Sequence, residues 1–166
     1  MKLTDLNAMT PAEFVEALGW IYEHSPWVAD RACSERPFSS IEALHGAMTA
    51  VVERASREEQ LALLRAHPEL GTRARVSAAS AGEQRGAGLS ALTQDQYEDL
   101  ATWGNQYREK FGFPFIYAVK GSTIEDILFA LTLRLDCAPE EELHQALWEV
   151  GRIAWFRLNE ALSCEL

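Results

Sequence analysis

The sequence predicts an all-α fold, arranged as a single compact multi-helix domain over residues 1–166. Two observations support this prediction. Helix-start motifs recur along the chain, and most of them precede apolar residues at three- and four-residue steps. Alternating runs of β-branched residues between tight-turn dipeptides, which are typical of strands, do not occur. The length of 166 residues suits one domain with a sizeable core.

Six capping boxes mark the expected helix starts. In this motif a Ser or Thr, with a Glu or Gln three residues later, satisfies two backbone N–H groups that a helix N-terminus leaves unpaired. In chain order the pairs are Thr10 with Glu13, Ser39 with Glu42, Ser56 with Glu59, Ser80 with Glu83, Thr93 with Gln96, and Ser122 with Glu125. Most of these pairs stand before helical apolar spacing, so helices are predicted there.

The apolar repeats define each helix in turn. Pro11 is well placed at the first position of the first helix, and the helix from Ser56 is short because it stops at His67 and Pro68. A last helix is predicted from near Pro139. The repeating apolar positions include Phe14, Leu18, Leu44, Met48, Leu61, Leu64, Tyr97, Leu100, Ile127, Leu131, Leu143, Leu147, Val150 and Leu158.

Composition and charge argue against several classes of protein. Fifteen Lys and Arg against 25 Asp and Glu give a net charge of −10, so we expect no binding to nucleic acid. No apolar run approaches the ~18–20 residues of a membrane span and residues 1–9 lack a signal-peptide core, so we expect a cytoplasmic protein away from membranes. The cysteines Cys33, Cys137 and Cys164 are widely spaced and no metal-ligand motif occurs, so no metal site is predicted.

Two segments carry polar residues in settings that suggest chemistry. His67 precedes Pro68, which disfavours helical geometry, so its imidazole should lie at the end of a helix and be able to reach a cleft. The alternative is a histidine that only caps the helix. Residues 80–89 contain a capping box but also three glycines in seven residues, which make a poor helix. Close approach of the backbone to a ligand, with N–H groups offered to an anion, would explain those glycines.

Two further segments belong to the candidate site. Residues 111–119 form an apolar irregular stretch, whose backbone polar groups need partners within the protein or on a ligand. Arg157 lies beside the inner face of the last helix. There it is either a rim residue with its apolar stem buried or a buried cation that needs a carboxylate.

In this order and spacing, the four segments resemble the OHCU decarboxylase family over about residues 14–162. The resemblance rests on Ala66-His67-Pro68, Ser80 with Glu83-Gln84 and Ala87-Gly88-Leu89, Asn105-Gln106-Tyr107, residues 111–116, and Ile153 with Arg157-Leu158. Two positions depart from the family pattern, since Glu69 stands where many members have Asp and Gly104 where many have Leu.

The resemblance implies a cofactor-independent decarboxylation of 2-oxo-4-hydroxy-4-carboxy-5-ureidoimidazoline (OHCU) to (S)-allantoin, the last step of urate degradation. It implies catalytic roles for His67 as the acid/base, for Glu83 close to His67, and for Arg157. The implied substrate-binding residues are Pro68, Ser80, Ala81, Gly82, Glu83, Gln84, Phe115, Ile116, Tyr117, Ala118 and Val119. A homodimer without metal or other cofactor is implied, with a functional link to 5-hydroxyisourate hydrolase.

Two other functions would use the same features. A helical interaction module would explain the capping boxes and the acidic surface, but it leaves the glycine-rich segment with Glu83 and Gln84 unexplained and makes His67 dispensable. A hydrolase acting on an allantoin-like ureide would use the same pocket. Ring opening in place of CO₂ release would identify that hydrolase.

Overall fold

The structure, a computed structural model, describes residues 1–71 and 78–162. Within these residues it contains helices and no strand, which confirms the all-α prediction. The described α-helices are α1 (Leu3–Ala8), α2 (Pro11–Leu18), α3 (Trp27–Ala32), α4 (Ile41–Arg54), α5 (Arg57–Ala66), α6 (Ala78–Gly86), α7 (Gln94–Phe111), α8 (Ile124–Leu135) and α9 (Pro139–Leu162). A short 3₁₀ helix follows α3 at Cys33–Glu35. No helix in the described ranges is both long and apolar enough to cross a membrane.

Three of the six capping boxes form as predicted. At the start of α2, the Glu13 carboxylate accepts from the Thr10 N–H at 2.8 Å and the Thr10 hydroxyl accepts from the Glu13 N–H at 3.3 Å. The same reciprocal pair of bonds begins α5 at Ser56 and α7 at Thr93. These helices therefore start where their local sequence satisfies the unpaired N–H groups.

The other three boxes are wrong in register. The caps of α4 and α8 are Ser40 and Thr123, each one residue after the predicted Ser39 and Ser122. Adjacent hydroxyl residues offer the same chemistry. The Ser40 hydroxyl accepts from the Ala43 N–H, and Thr123 forms a reciprocal pair of bonds with Asp126. Helix α6 begins at Ala78, which puts Ser80 inside its first turn.

One compact unit comprises residues 1–66 and 150–166. Its core is apolar and includes Leu6, Phe14, Leu18, Val28, Leu44, Met48, Leu63, Leu64, Ala154 and Leu158. Two side chains tie its loops together. Asn7 exchanges hydrogen bonds with the backbone of Phe38, and the Arg36 guanidinium donates to the carbonyls of Leu6 and Met9.

The second compact unit comprises residues 67–149. Helix α7 ends at Gly112, which adopts a left-handed conformation with a φ of 79° and donates its N–H to the Arg108 carbonyl. This αL cap turns the chain into residues 113–119, which have no regular secondary structure. Around it the rings of Phe111, Phe113 and Phe115 pack against Tyr107, with centroid distances of 4.6, 5.9 and 5.3 Å. The stretch is therefore held in an aromatic core.

Candidate active site

His67 lies where the sequence predicted it, directly after the last residue of α5. Its side chain is buried, with the residue 7% exposed, whereas Pro68, Glu69 and Leu70 are half-buried. A buried imidazole beside a helix end is a candidate for proton transfer, because its surroundings control which ring nitrogen carries the proton.

The segment that follows His67 is held by two helices of the same unit. The Gly71 N–H donates to the Gln84 side-chain oxygen of α6 at 3.1 Å, and Arg108 of α7 pairs with Glu69 at 2.5 Å. Gly71 has a φ of +71°, and a Cβ at this position would lie 2.6 Å from the Leu100 side chain. The far end of residues 67–71 is therefore held by a hydrogen bond to α6 and an ion pair to α7.

The glycine-rich segment is helical as far as Gly86, which corrects two expectations. Helix α6 runs through Gly82 to Gly86, and its N-terminus at Ala78 means that no helix start at Ser80 offers N–H groups to an anion. Ser80 is buried, whereas Ala81, Gly82, Glu83 and Gln84 are half-buried. Steps of three and four residues put Ser80, Glu83 and Gln84 on one face of α6. Because Gln84 bonds Gly71, that face lies towards residues 67–71.

The main chain of residues 115–119 finds several partners within the protein. The Ile116 carbonyl accepts from Arg134 at 2.7 Å, and the Ala118 N–H donates to the Glu149 carboxylate at 2.8 Å. The Val119 carbonyl accepts from the Ser122 N–H at 3.0 Å. The side chains of this stretch are buried except that of Tyr117, which is half-buried. A ligand that contacts this main chain must therefore bind to backbone N–H and C=O groups other than these three.

A buried polar cluster in the same unit was not predicted from the sequence. Tyr107 donates its hydroxyl to Glu142, and the Arg134 Nε donates to the same carboxylate oxygen at 2.7 Å. Burial raises the pKa of Tyr107 above its ordinary value, and the hydrogen bond to Glu142 adds to that rise, whereas the positive charge of Arg134 opposes it. One feature of the sequence could have indicated this cluster. Arg134 follows Ile127 and Leu131 at helical spacing, which puts a charged residue on an apolar helix face.

Arg157 is a buried cation with a carboxylate partner from its own chain. The residue is 2% exposed, so the rim alternative is wrong. Its guanidinium donates to the Glu23 carboxylate at 3.1 Å and to the Ile21 carbonyl at 3.1 Å. Glu23, also 2% exposed, was not singled out from the sequence. A catalytic role for Arg157 stays a prediction.

Two of the predicted site segments meet at a cavity of about 140 Å³ within residues 67–149. Its lining includes Glu69 and Gly71 from the His67 segment, Phe115, and the polar side chains of Tyr97 and Asn105 from α7. The cavity is smaller than the roughly 300–1,000 Å³ of a complete ligand pocket. In the part of the chain that the structure describes, no three His, Cys, Asp or Glu side chains are grouped to hold a metal ion.

Comparison with known proteins decides the family. The family model described as OHCU decarboxylase matches residues 7–159. The chain belongs to the OHCU decarboxylase family. Family membership makes it a decarboxylase, and the alternative of a non-catalytic interaction module is therefore wrong.

Relatives within this family cover nearly the whole chain. A 2-oxo-4-hydroxy-4-carboxy-5-ureidoimidazoline decarboxylase from Haloferax volcanii is 48% identical over 165 residues, covering 99% of this chain and 98% of its own. The uric acid degradation bifunctional protein PucL of Bacillus subtilis is 47% identical over 97% of this chain, which spans only 33% of that protein. A crystal structure of (S)-allantoin synthase superposes with a TM-score of 0.82 at 34% identity, covering 98% of this chain and 54% of that one.

Proposed function

We propose that this decarboxylase converts OHCU to (S)-allantoin without a cofactor, as the last step of urate degradation. The observation that carries the proposal is the 48% identity with the Haloferax volcanii protein of that name, over almost the full length of both chains. The similarity to an (S)-allantoin synthase supports the same product.

The chemistry asks the protein for positioning and one proton. Breaking the bond to the carboxylate leaves an electron pair on the ring carbon, and the adjacent ring C=N can accept that pair. The electron sink is then part of the substrate. The enzyme has to hold the carboxylate out of the ring plane, stabilise the moving charge and deliver a proton to one face.

His67 is the proposed acid/base. An imidazole, with a reference pKa of about 6.5, can transfer a proton near neutral pH. Its burial at the end of α5 supports this role. Glu83 is proposed to orient His67 and select its tautomer. Supporting this pairing, Glu83 shares a helix face with Gln84, which bonds to the segment that His67 begins.

The remaining predicted residues are proposed to bind substrate. Pro68 and residues 80–84 are assigned to the pocket, and residues 115–119 contribute main-chain contacts. Arg157 is proposed to hold the substrate carboxylate. Its bond to Glu23 within the same chain argues against this contact, and Arg157 variants separate a catalytic role from a structural one.

The proposed setting is a cytoplasmic homodimer that works with another enzyme of the pathway. The Bacillus subtilis relative supports the pathway link, because the sequence similar to this chain covers 33% of a protein named for two activities in uric acid degradation. The enzyme that supplies the substrate is proposed to be 5-hydroxyisourate hydrolase.

One assay tests the proposed function. Freshly generated OHCU is mixed with the protein, and CO₂ release and the circular dichroism of the product are followed together. We expect CO₂ release to accompany formation of optically active allantoin, and activity to survive exhaustive chelation. Ring opening without CO₂ would instead identify a hydrolase acting on a ureide.

A further inference from the structure

Residues 115–119 are proposed to bind substrate through their main chain, so the position of that main chain matters. They have no regular secondary structure, so no ladder of helix or strand hydrogen bonds holds their main chain. A main chain that binds a substrate must nevertheless be held within about 0.5 Å of its binding geometry. Two buried side chains from neighbouring helices contact this main chain directly.

Glu149 of α9 holds the first of two backbone groups. It is 3% exposed, and its Oε2 accepts from the Ala118 N–H at 2.8 Å. Gln145, one turn earlier on the same helix, donates to the other carboxylate oxygen at 3.3 Å. Hydrogen bonds from a neutral N–H to a carboxylate are shorter and stronger than those to a neutral acceptor.

Arg134 of α8 holds the second group. Its NH1 donates to the Ile116 carbonyl at 2.7 Å, and its guanidinium lies over the Phe115 ring with 4.6 Å to the centroid. The same guanidinium is held by Glu142 through Nε at 2.7 Å. Arg134 is therefore itself fixed, and it contacts the stretch through both a backbone carbonyl and a side chain.

These two contacts fix the two peptide planes on either side of Tyr117. The Ile116 carbonyl shares its plane with the Tyr117 N–H, and the Ala118 N–H shares its plane with the Tyr117 carbonyl. Both peptide bonds are trans, so the N–H and C=O of each plane point in opposite directions. The Tyr117 N–H therefore points away from Arg134, and the Tyr117 carbonyl points away from Glu149.

We propose that Glu149 and Arg134 are positioning residues that direct the main-chain N–H and C=O of Tyr117 towards the substrate. This inference rests on the proposed function. One donor and one acceptor on the same residue complement a ligand that carries an acceptor next to a donor, and the –NH–CO– unit of a ureido group does so. Tyr117 is half-buried, whereas Ile116 and Ala118 on either side of it are buried.

The test compares Glu149→Ala with Glu149→Gln, because Gln keeps an oxygen that can accept from the Ala118 N–H. Leu143→Ala is the matched control, since Leu143 is a buried apolar residue of the same helix. Contacts made equally in the ground state and the transition state change KM and leave kcat unaltered. We expect Glu149→Ala to raise KM for OHCU and Kd for (S)-allantoin at least tenfold, with kcat within threefold of wild type. Glu149→Gln should stay within threefold in all three constants.

General loosening of the fold has a different signature. It lowers the active fraction, and thus the apparent kcat, but leaves KM unchanged, as we expect for Leu143→Ala. The inference is overturned if KM of Glu149→Ala stays within threefold of wild type, or if Leu143→Ala raises KM equally. Should Glu149→Ala fail to fold, Glu149→Asp withdraws the carboxylate by one methylene and takes its place.

An exchange measurement separates this inference from the proposed function. If the wild-type protein neither decarboxylates OHCU nor binds (S)-allantoin, the proposed function fails. The exchange rate of the Ala118 amide hydrogen still reports on its hydrogen bond to Glu149. Glu149→Ala or Glu149→Asp should accelerate this exchange at least tenfold. An unchanged exchange rate would overturn the positioning role whatever the substrate is.

Discussion

The two compact units each contain a buried arginine paired with a buried glutamate. Arg157 donates to Glu23 and to the Ile21 carbonyl, both at 3.1 Å. Arg134 donates to Glu142 and to the Ile116 carbonyl, both at 2.7 Å. The sequence drew attention to Arg157 and not to Arg134, yet both are internal ion pairs that bind a main-chain carbonyl.

The difference between the pairs lies in the carbonyl that each one holds. Ile21 belongs to the turn after α2, whereas Ile116 belongs to the stretch proposed to contact substrate. A buried arginine on an inner helix face is thus no evidence for an anionic ligand by itself, because its carboxylate can come from the same chain. The segment that it anchors is the better guide to function.

The largest effect on the rate is expected for His67→Asn, because His67 is the residue proposed to transfer a proton. General acid–base catalysis is typically worth about 10²–10⁴-fold, so we expect kcat to fall by that factor with the thermal melting little changed. His144→Asn, an exposed histidine on α9, is the matched control and should leave the rate unchanged. Near-wild-type CO₂ release by His67→Asn would remove His67 from the mechanism.

Arg157 variants test the comparison directly. Removing one partner of a buried ion pair costs about 3–5 kcal/mol, so Arg157→Ala should melt at a much lower temperature. Arg157→Lys should be nearly as harmful in stability and rate, because a single ammonium cannot bind Glu23 and the Ile21 carbonyl in the same planar geometry. Initial rates per folded protein and melting curves are measured together.

A double replacement then separates structure from catalysis. Glu23→Gln with Arg157→Met removes both charges and should recover much of the lost stability. Recovery of stability without recovery of rate would support a catalytic Arg157. Recovery of both would make it a structural residue like those of other internal ion pairs. Arg152→Ala removes a cation from the same helix and serves as the control for charge.

Glu83→Gln tests a half-buried carboxylate in the other compact unit. Because α6 begins at Ala78, Glu83 lies too far along the helix to cap its start. Gln keeps the shape of the side chain but removes the negative charge that favours an imidazolium. We expect an unchanged melting profile and a turnover at least roughly tenfold lower, equivalent to about 1.4 kcal/mol of transition-state stabilisation. A normal rate with normal melting would disprove the pairing of His67 with Glu83.

The smallest effect is expected at an exposed counterpart of the two buried pairs, formed by Arg31 and Glu59. Hydrogen bonds from Arg31 and then from the Ser56 backbone lower the pKa of Glu59 from 4.5 to about 2. Because the folded pKa is the lower one, the stabilisation is complete above about pH 4.5 and is lost as the pH falls towards 2.

Melting curves of wild type and Glu59→Gln should therefore differ by a constant amount above pH 4.5 and converge below it. Glu58→Gln, which removes a charge from the same helical turn, is the matched control. A Glu59→Gln difference that is independent of pH would contradict the assignment. The effect should be smaller than that of either buried pair, because solvent screens exposed charges.

The fold class was predictable because apolar spacing and helix caps are local properties of the sequence. The exact helix boundaries were less predictable, because neighbouring residues such as Ser39 and Ser40 can both cap the same helix. The short helices α1 and α3, of six residues each, were missed because they hold too few turns for a periodic pattern. The organisation as a single domain stays a prediction.

The candidate site was predictable only as separate segments. The position of His67 at a helix end followed from Pro68, whereas the helical state of residues 80–84 did not follow from their glycine content. The partners of the buried charges could not be predicted, because they are distant in sequence. Glu142 lies eight residues from Arg134, and Glu23 lies 134 residues from Arg157. Charged residues at buried helix positions could still have been noted as needing partners.

Gly71 has a consequence for the variation that this chain can tolerate. Its backbone has a φ of +71°, which side chains disfavour, and a Cβ would lie 2.6 Å from the end of the Leu100 side chain. Every residue except proline could keep the N–H bond to Gln84, so the backbone conformation is what favours glycine here. A saturation library at position 71, selected for activity, should therefore return glycine almost alone. Position 104, where a Cβ would meet nothing within 4 Å, should accept small residues although it too is a glycine, whereas large side chains would enter the cavity that it lines.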